Sequence, residues 1–428
     1  MPGVVFPYGR ETRLYEIAQE RYAGTLVSAL AKYNPEKSQE ELVKAALESP
    51  VGSLRLSELA RGKKKVVLIA SDHTRPVPSK VIIPQMLQEI RMGNSEADIT
   101  LLIATGCHRE TRKEELLEKF GEEIVQNEKI VIHDCDDAAN MADIAVLPSG
   151  GRLVLNKLAV EADLLVAEGF IEPHFFAGYS GGRKSVLPGV ASRKTVVYNH
   201  NATFIDHPKA RTGIVDGNPI HEDMVFAARK ANLAFICNVI IDSEKEVVHA
   251  VAGDCNAAHE KGVEFLKRLC GVKAVPSDIV ITTNGGYPLD QNIYQAVKGM
   301  TAAEATVKAG GVTIMLAKSN EGHGGQVFYE TFRNQKDLKK MMEGFLATSP
   351  EETIIDQWQS QIFARVLMHS HVIYVSDAAD ELVDALHMIP AHSVEEAVVI
   401  ADRILEEQGI QNGKILAIPD GVSVIVNR

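Results

Sequence analysis

The sequence predicts a protein of two α/β domains with mostly parallel sheets, and three observations support this prediction. The chain has 428 residues, which at roughly 150 residues per domain allows two or three domains. Short β-branched runs alternate with helical patterns, an order that favours parallel strands joined by right-handed crossovers. A second series of strands and helices begins near Val275, after an amphipathic helical stretch.

The first series starts with a buried-strand pattern, KKVVLIA (64–70), and a loop that contains two prolines (71–79). The elements that follow are helix 80–92, strand 99–106, helix 112–121, and strands 129–134 and 162–170. In parallel sheets, ligands collect in the loops at the carboxyl ends of the strands. Polar side chains occupy three of these predicted loops: Asp72, His73, Thr74 and Arg75, then His108, then His174.

The second series predicts a strand and turn at 277–286, a helix that ends on glycines at 301–311, and strands 312–317 and 371–377. Two amphipathic helices of similar length, 259–271 and 393–409, are predicted to pair as connectors between the domains. ILAIPDGVSVIVNR (415–428) has the pattern of a strand hairpin. We therefore predict an N-terminal domain at 1–268, to which the strands in 410–428 return, and a C-terminal domain at 275–395.

Composition argues against several classes of protein. The formal charge is −12, whereas a nucleic-acid binder would carry a basic face. The N-terminus lacks a basic start before an apolar stretch, so no signal peptide is expected, and no apolar run approaches the roughly 20 residues of a membrane span. The five cysteines are scattered and form no CxxC pair, which favours reduced thiols and a cytoplasmic location.

The densest polar segment is EGFIEPHFFAGYSGGRKSVLPG (168–189). It differs from a phosphate-binding P-loop because Arg183, and not glycine, precedes Lys184. The dinucleotide fingerprint GxGxxG after a strand is absent as well. Glycines let a backbone approach a ligand closely, and Lys184 could serve as a point charge or as a desolvated nucleophile. From these residues alone, a solvated basic surface loop is an equal alternative.

Most of the 14 histidines are expected to be structural. Those in or beside apolar segments are His133, His249 and His387. Those with the pattern of exposed positions near turns or helix starts are His207, His221 and His259. Three others lie in loops beside glycines, prolines and polar groups: His108, His174 and His200. An imidazole in such a loop can exchange protons near neutral pH or bind a transition metal, although the spacing does not establish a shared site.

Several motifs, in order along the chain, closely resemble those of the nickel-dependent lactate racemase family. They are SDHTRP (71–76), ATGCHR (104–109), EPHFFAGYSGGRKSVLPG (172–189), YNHN (198–201), RTGIVDGNPIHEDM (211–224) and YQAVKGM (294–300). The resemblance covers essentially the whole chain. It implies two α/β domains with the active site in the cleft between them. It also implies a nickel-pincer nucleotide, Ni(II) pyridinium-3,5-bisthiocarboxylic acid mononucleotide, which other proteins synthesise.

The resemblance also implies a role for each matching residue. Lys184 would bond covalently to the cofactor through a thioamide, and His200 would complete a square-planar donor set around nickel. His108 and His174 would be the two acid/base residues. The remaining cofactor-binding residues would be Asp72, Thr74 and Arg75, of which Asp72 could also orient a catalytic histidine. The substrate would contact Arg75, Tyr294, Gln295, Lys298 and Trp358.

The implied activity is the racemisation of lactate, a small 2-hydroxy acid. The α-hydrogen of lactate is very weakly acidic, because the adjacent carboxylate opposes a carbanion. Transfer of that hydrogen as a hydride to the cofactor, coupled to removal of the hydroxyl proton by a base, avoids the carbanion and forms pyruvate. The two enantiomers place their hydroxyl groups differently, so His108 and His174 would each serve one enantiomer, while Arg75 could grip the carboxylate.

Several alternatives stay open at this stage. The substrate could be another 2-hydroxy acid, such as malate or a longer aliphatic acid, and a carrier of nickel or nucleotide would use Lys184 and His200 without catalysis. An ordinary nucleotide-binding dehydrogenase is disfavoured by the missing fingerprint. Trp358 could be core, and Tyr294, Gln295 and Lys298 could be an ordinary helix start. The role of His323, in the glycine-rich segment 321–326, is open.

Overall fold

The computed structural model describes residues 1–427 and divides into two compact units. The N-terminal unit comprises Leu30–His200 and His207–Arg268. The C-terminal unit comprises Met1–Ala29, Asn201–Asp206 and the described chain from Leu269 onward. Two α/β domains with mostly parallel sheets are therefore confirmed, although the boundaries differ from the predicted ones.

The N-terminal unit is built around a six-stranded sheet. In spatial order its strands are Val247–Gly253, Leu233–Ile241, Leu164–Phe170, Lys65–Ser71, Asp98–Ala104 and Lys129–Ile132. All neighbours are parallel except the first two, which are antiparallel at one edge. The central strands are buried along nearly their whole length, since helices cover a parallel sheet on both faces. Leu68, Ile83 and Leu101 are among the residues of a hydrophobic cluster around this sheet.

Helices of the N-terminal unit fill the crossovers and the sheet faces. They are Gln39–Glu48, Leu56–Leu59, Ser79–Gly93, Lys113–Phe120, Glu122–Asn127, Lys157–Val160, Arg193–Asn199, Pro219–Lys230 and Ala257–Cys270. Short antiparallel pairs add Met141–Val146 with Arg152–Asn156 and Pro173–His174 with Gly178–Tyr179. Turns of 3₁₀ helix lie at Leu30–Lys32, Ala138–Asn140 and Gly182–Ser185. The strands and helices predicted between residues 64 and 170 are confirmed to within two residues at most ends.

The C-terminal unit contains a second six-stranded sheet, which is parallel throughout. In spatial order its strands are Ile389–Ala391, His371–Val375, Val307–Leu316, Ser277–Thr283, Ile415–Ile418 and Tyr22–Thr25. Its helices are Ala202–Asp206, Ile293–Glu304, Gln326–Asn334, Leu338–Ala347, Gln357–His369, Asp380–Ala385 and Val394–Glu407, with a 3₁₀ turn at Pro350–Glu352. Smaller strand pairs are Gly3–Tyr8 with Glu11–Glu16 and Gly271–Lys273 with Ile425–Asn427.

The terminal segments differ from the predicted arrangement. Ile415–Ile418 lies between Ser277–Thr283 and Tyr22–Thr25 in the C-terminal sheet, so 410–428 do not return to the N-terminal domain. These strands form no hairpin with each other, because Ile425–Asn427 pairs in parallel with Gly271–Lys273. Pairing between residues more than a hundred positions apart decided these placements, and local patterns do not encode it.

Two predicted helices also differ from the structure. The predicted helix 301–311 is wrong, since Ile293–Glu304 ends earlier and Val307–Leu316 is a strand that pairs with Ser277–Thr283. Val394–Glu407 packs on the C-terminal sheet and contributes Ala397, Ala401 and Leu405 to its core, so it is not a connector. In the described part of the chain, no helix combines the length and apolar character that crossing a bilayer requires.

Candidate active site

Three polar loops of the N-terminal unit lie at the same edge of its sheet. They follow Lys65–Ser71, Asp98–Ala104 and Leu164–Phe170, and the first of these strands pairs in parallel with both of the others. The carboxyl ends of the three strands are therefore adjacent, which is where α/β sheets bind ligands. The Gly106 amide also donates to the Gly189 carbonyl at 3.0 Å, and this bond joins the second loop to the third.

Asp72 and His108 form a hydrogen-bonded pair between the first two loops. His108 Nδ1 lies 2.8 Å from Asp72 Oδ2, and Thr74 Oγ1 donates to Asp72 Oδ1 at 2.7 Å. Only 1% of the Asp72 side chain is exposed, compared with 42% of the His108 side chain. Burial alone would raise the pKa of Asp72, but hydrogen bonds from His108 and Thr74 and the nearby Arg75 bring it below its ordinary value. An ionised Asp72 fixes the proton of His108 on Nδ1 and leaves the Nε2 lone pair for proton transfer.

The first loop also carries Arg75, whose backbone is held by a side chain from helix Lys113–Phe120. Lys119 Nζ donates to the Arg75 carbonyl at 2.9 Å. Burial lowers the pKa of Lys119, while the carboxylates of Glu168 and Asp72 act in the opposite direction. Arg75 itself is near enough to influence both Asp72 and Lys184 electrostatically.

The third loop brings His174 and Lys184 together. Lys184 Nζ lies 3.4 Å from His174 Nε2. The Ala177 amide donates to His174 Nδ1 at 3.2 Å, so the neutral ring of His174 carries its proton on Nε2. Burial, together with the charges of Arg183 and Arg75, holds the pKa of Lys184 well below its usual range. A neutral, desolvated amine is nucleophilic, which is the state that bond formation to a cofactor requires.

The ring of Phe176 is surrounded by three of the predicted site residues. His174 meets it edge-on with the ring centroids 4.5 Å apart, and His200 does so at 5.3 Å. Lys184 Nζ lies 5.7 Å from the same ring centroid. Sequence reasoning missed Phe176, because an apolar residue in a polar loop carried no chemical signal of its own. The adjacent aromatic pair after His174 was the only sign of an apolar wall.

His200 follows helix Arg193–Asn199 and is buried, with 4% exposure. Its Nδ1 lies 2.9 Å from the Val196 carbonyl, to which it can only donate, so the neutral ring carries its lone pair on Nε2. Burial, with Lys184 nearby, lowers the pKa of His200 to about 3. A neutral imidazole with its second nitrogen fixed by a carbonyl has the form that protein metal ligands adopt.

The turn before Lys184 requires glycine. Gly181 has a φ of +76°, and a Cβ there would lie 2.7 Å from Asn238 Oδ1 and 2.8 Å from the Phe170 carbonyl. Asn238 is fully buried, and its Oδ1 accepts from the Gly182 amide at 2.7 Å. The segment is therefore a packed turn, which excludes the solvated surface loop considered from the sequence.

The structure corrects the predicted exposure of two histidines. His259 is buried, with 4% exposure, and His221 is only partly exposed. Both contact the buried guanidinium of Arg183. Burial lowers the pKa of His221 to about 3 and holds that of His259 well below its ordinary value, with a further contribution from Arg183 in both cases. Sequence reasoning missed this network because its members come from distant segments.

Four of the five predicted substrate residues lie in the C-terminal unit. Tyr294, Gln295 and Lys298 occupy helix Ile293–Glu304, and Trp358 occupies helix Gln357–His369. Tyr294 donates through its hydroxyl to Asp356 Oδ1 at 2.7 Å. All four predicted side chains are half-buried, so Trp358 is not a fully buried core residue. The structure thus places Arg75 and the four other predicted substrate residues in different units.

His323 contacts the start of the helix that carries Tyr294. Its carbonyl accepts from the Tyr294 amide at 3.1 Å, and its ring stacks on Tyr329 with centroids 4.9 Å apart. Its Nδ1 accepts from the Gly325 amide at 3.1 Å. These contacts give His323 a role in holding the start of the helix that carries Tyr294.

His133 is confirmed as a structural residue, because it is buried and its Nε2 lies 3.0 Å from the Ala191 carbonyl. The three residues that follow His133 in the chain, Asp134, Cys135 and Asp136, have metal-ligand geometry. Asp136 is paired with Arg193 at 2.6 Å, and both aspartates are exposed. Cys135 is buried, and none of the three is among the residues predicted here to bind nickel.

Two family models match this chain. One, described as the lactate racemase N-terminal domain, matches residues 8–213. The other, described as the lactate racemase C-terminal domain, matches residues 272–426.

Lactate racemase from Thermoanaerobacterium thermosaccharolyticum is 53% identical over 427 residues, which cover 100% of this chain and 99% of that protein. Lactate racemase from Lactiplantibacillus plantarum is 52% identical over 427 residues and is covered in full, as is this chain. The structure of the lactate racemase apoprotein from T. thermosaccharolyticum matches with a TM-score of 0.95 at 52% identity, over 100% of both chains. A crystal structure from Thermotoga maritima, at 19% identity and a TM-score of 0.62 over 92% of this chain, is similar in fold alone.

Proposed function

Because this chain belongs to the lactate racemase family, we propose that it is an isomerase that interconverts D- and L-lactate. The observation that carries the proposal is a pair of histidines in loops at one edge of the N-terminal sheet. Each ring is held by a different partner, His108 by Asp72 and His174 by the Ala177 amide. Racemisation needs two acid/base groups, because the hydroxyl groups of the two enantiomers point in different directions.

His108 is the base for one enantiomer. Its Nε2 takes the hydroxyl proton of the substrate, and the buried carboxylate of Asp72 stabilises the imidazolium that results. Thr74 keeps the Asp72 carboxylate in place by donating to its other oxygen. His174 serves the opposite enantiomer once cofactor loading has freed its Nε2 for proton transfer, so one histidine removes a proton from the hydroxyl group while the other returns a proton to the carbonyl oxygen.

The chain supplies residues that fit a nickel-pincer nucleotide. The neutral amine of Lys184 is suited to a covalent bond with the cofactor, and the buried imidazole of His200 is suited to nickel. Both face the ring of Phe176, an apolar surface suited to a flat heteroaromatic ring. When bound, this cofactor supplies the acceptor for the hydride that leaves C2 of the substrate. Asp72, Thr74 and Arg75 line the neighbouring loop and would complete its binding residues.

The substrate carboxylate has a natural partner in Arg75, whose planar guanidinium can donate two parallel hydrogen bonds. Tyr294, Gln295, Lys298 and Trp358 are the further residues proposed to contact substrate. The Tyr294 hydroxyl is oriented by Asp356, and the Tyr294 carbonyl accepts from Gln359, so this side chain is fixed before substrate binds. We also propose a cytoplasmic location and dependence on cofactor-synthesising proteins. The free state of all five cysteines supports the location.

The test is a chiral assay of protein purified from a nickel-fed host that makes the cofactor. We expect either pure enantiomer of lactate to approach an equal mixture, and the intact mass to exceed the sequence mass by several hundred daltons. His200→Ala should retain far less nickel than the parent, while His207→Ala, a change elsewhere in the same unit, should retain as much. Loaded protein that leaves lactate unchanged but racemises malate or a longer 2-hydroxy acid would contradict the substrate and favour the alternative.

A further inference from the structure

Arg183, directly before Lys184, is buried with 1% exposure, and all three nitrogens of its guanidinium donate to protein acceptors. Its Nη2 donates to the Ala177 carbonyl at 2.9 Å. Its Nη1 donates to the carbonyls of Ser180 at 3.2 Å and Gly181 at 3.1 Å. Three carbonyls from one short loop therefore converge on a single cation.

Two histidines complete the shell around this cation. Arg183 Nε donates to His221 Nδ1 at 3.1 Å, and Arg183 Nη1 lies 3.1 Å from His259 Nε2. His259 Nε2 also lies 2.8 Å from the Ser180 carbonyl. Every acceptor that the structure gives Arg183 is neutral, so hydrogen bonds and not an ion pair offset the desolvation of its charge. Such an arrangement holds only while the loop keeps its carbonyls turned inward.

The same loop holds both functional side chains. The Ala177 carbonyl accepts from Arg183 Nη2, and the Ala177 amide donates to His174 Nδ1 at 3.2 Å. The Gly181 carbonyl accepts from Arg183 and also from the Lys184 amide at 3.1 Å. A change in the position of the guanidinium would therefore move the partners of His174 and Lys184 together.

We propose that Arg183 is a positioning residue, whose buried guanidinium holds loop 177–181 so that His174 and Lys184 face each other. The inference rests on the proposed function for the consequences in catalysis, but its structural part does not depend on lactate. Arg183 is not required to contact substrate or cofactor, since all the donors named above are used within the loop and its two histidines.

The test compares Arg183→Met and Arg183→Lys with Arg91→Met. Arg91 belongs to the same unit, but it is a surface residue paired with Glu128 at 2.7 and 2.8 Å, so its loss should change little. Lysine keeps the charge at position 183 but cannot donate in the directions of a planar guanidinium. We therefore expect Arg183→Lys to behave like Arg183→Met and Arg91→Met to behave like the parent.

The first measurement is the ¹⁵N NMR signal of His174 in the full-length chain without cofactor, assigned by its loss in His174→Gln. In the parent, the neutral ring should carry its proton on Nε2. In both Arg183 variants, loss of the fixed Ala177 amide should give a mixture of the two tautomers. Unchanged His174 signals in a folded Arg183→Met protein would overturn the proposal. This measurement does not depend on activity toward lactate. A failure of the positioning role can therefore be distinguished from a failure of the proposed function.

The second measurement is keto acid formed from each lactate enantiomer in a single turnover of loaded protein. The half-reaction that uses His174 should slow by roughly 10- to 100-fold, the range expected when one or two charge-assisted hydrogen bonds are lost. The half-reaction that uses His108 should change much less. Steady-state kcat/KM cannot show this difference, because an equilibrium constant of one forces equal values in both directions. Equal slowing of both half-reactions would overturn the proposal.

If Arg183→Met fails to fold, the same two measurements are made on His221→Phe. It removes the acceptor of Arg183 Nε but leaves the three carbonyls, so the same changes at His174 should appear with smaller size. A folded His221→Phe protein with the parent's His174 signals and the parent's two half-reaction rates would count against the proposal.

Discussion

The two predicted acid/base histidines are oriented by different physical means. His108 is hydrogen-bonded to a buried carboxylate, Asp72, whereas the ring nitrogens of His174 contact a backbone amide and the amine of Lys184. The carboxylate fixes the ring proton of His108 on Nδ1 and leaves Nε2 unprotonated, while the amide N–H directed at Nδ1 of His174 leaves its ring proton on Nε2. Without cofactor, His108 is therefore arranged to accept a proton on Nε2, and His174 is not.

This difference assigns separate tasks to the two regions. The His108 region is complete from two adjacent loops and needs no further group to orient its base. The His174 region also contains Lys184, His200 and Phe176, the residues that we propose hold the cofactor. We infer that loading changes the surroundings of His174 and leaves those of His108 largely as they are.

The largest effect is expected from Lys184→Ala, a change confined to the His174 region. Native protein from a nickel-fed, cofactor-producing host should lose its mass adduct, and racemisation should fall below detection. Lys194, an exposed residue of the same unit, provides the control, since Lys194→Ala should keep the adduct. Intact-mass spectrometry measures the adduct in both variants. An adduct that survives in Lys184→Ala would refute covalent attachment of the cofactor at Lys184, and with it the separate roles of the His108 and His174 regions.

The next effect separates the two histidines. His108→Gln and His174→Gln should each slow racemisation by roughly 100- to 10,000-fold, because general base catalysis is lost in one half-reaction. Each variant should still form keto acid from one enantiomer in a single turnover, and the surviving enantiomer should differ between them. The measurement is chiral analysis after acid quench, and a pair of variants that lose the same half-reaction would show that the two histidines do not serve opposite enantiomers.

The sequence predicted the His108 region better than the His174 region, and the reason is the distance between partners. Asp72 and His108 each follow a strand whose β-branched pattern is local, so adjacent parallel strands were expected to bring their loops together. Arg183 and His259 are separated by 76 positions, and no local pattern relates them. Phe176 was missed because its contribution is a surface and not a reactive group.

Distance between partners in the sequence also explains the incorrect predictions of the fold. The central strands could be predicted from their own residues, whereas Val307–Leu316 becomes a strand by pairing with Ser277–Thr283 despite its glycines. The terminal strand Ile415–Ile418 finds its partners at positions 22–25 and 277–283, far away in sequence. Non-local pairing decided these cases, and periodicity does not report it.

A sharper test of the His108 region uses Asp72→Asn. Thr74 donates to Oδ1, so the new carboxamide should keep its oxygen there and direct its amino group at His108 Nδ1. His108 would then carry its proton on Nε2 and could not act as a base, with a loss of roughly 100- to 10,000-fold in racemisation.

The same geometry predicts a rescue. Thr74→Val alone should cost roughly 10- to 100-fold, the effect of one hydrogen bond to a charged group. In Asp72→Asn with Thr74→Val, the carboxamide can turn and accept from Nδ1, so this double variant should be faster than Asp72→Asn. The measurement is the racemisation rate of the parent, the two single variants and the double variant. A double variant as slow as or slower than Asp72→Asn would mean that Thr74 does not set the orientation.

The smallest expected effect is on the pH dependence of folding stability, to which the buried histidines and Asp72 contribute in different pH ranges. Burial lowers the pKa of His200 and His221 to about 3, and that of His259 well below 6.5. Between pH 6.5 and about 4, the unfolded chain binds protons at these positions that the folded chain does not, so stability is fully present above 6.5 and declines as the pH falls. Asp72, whose pKa is lowered from 3.8, follows the same sign but contributes only near and below that value. His200 and His221 should therefore each remove about 1–2 kcal/mol between pH 6.5 and 5, and His259 acts in the same direction. Urea unfolding of cofactor-free protein should show this loss in the parent and in Asp72→Asn, and a smaller loss in His221→Gln. A His221→Gln protein with the parent's pH dependence would show that acid acts elsewhere than on the Arg183 network.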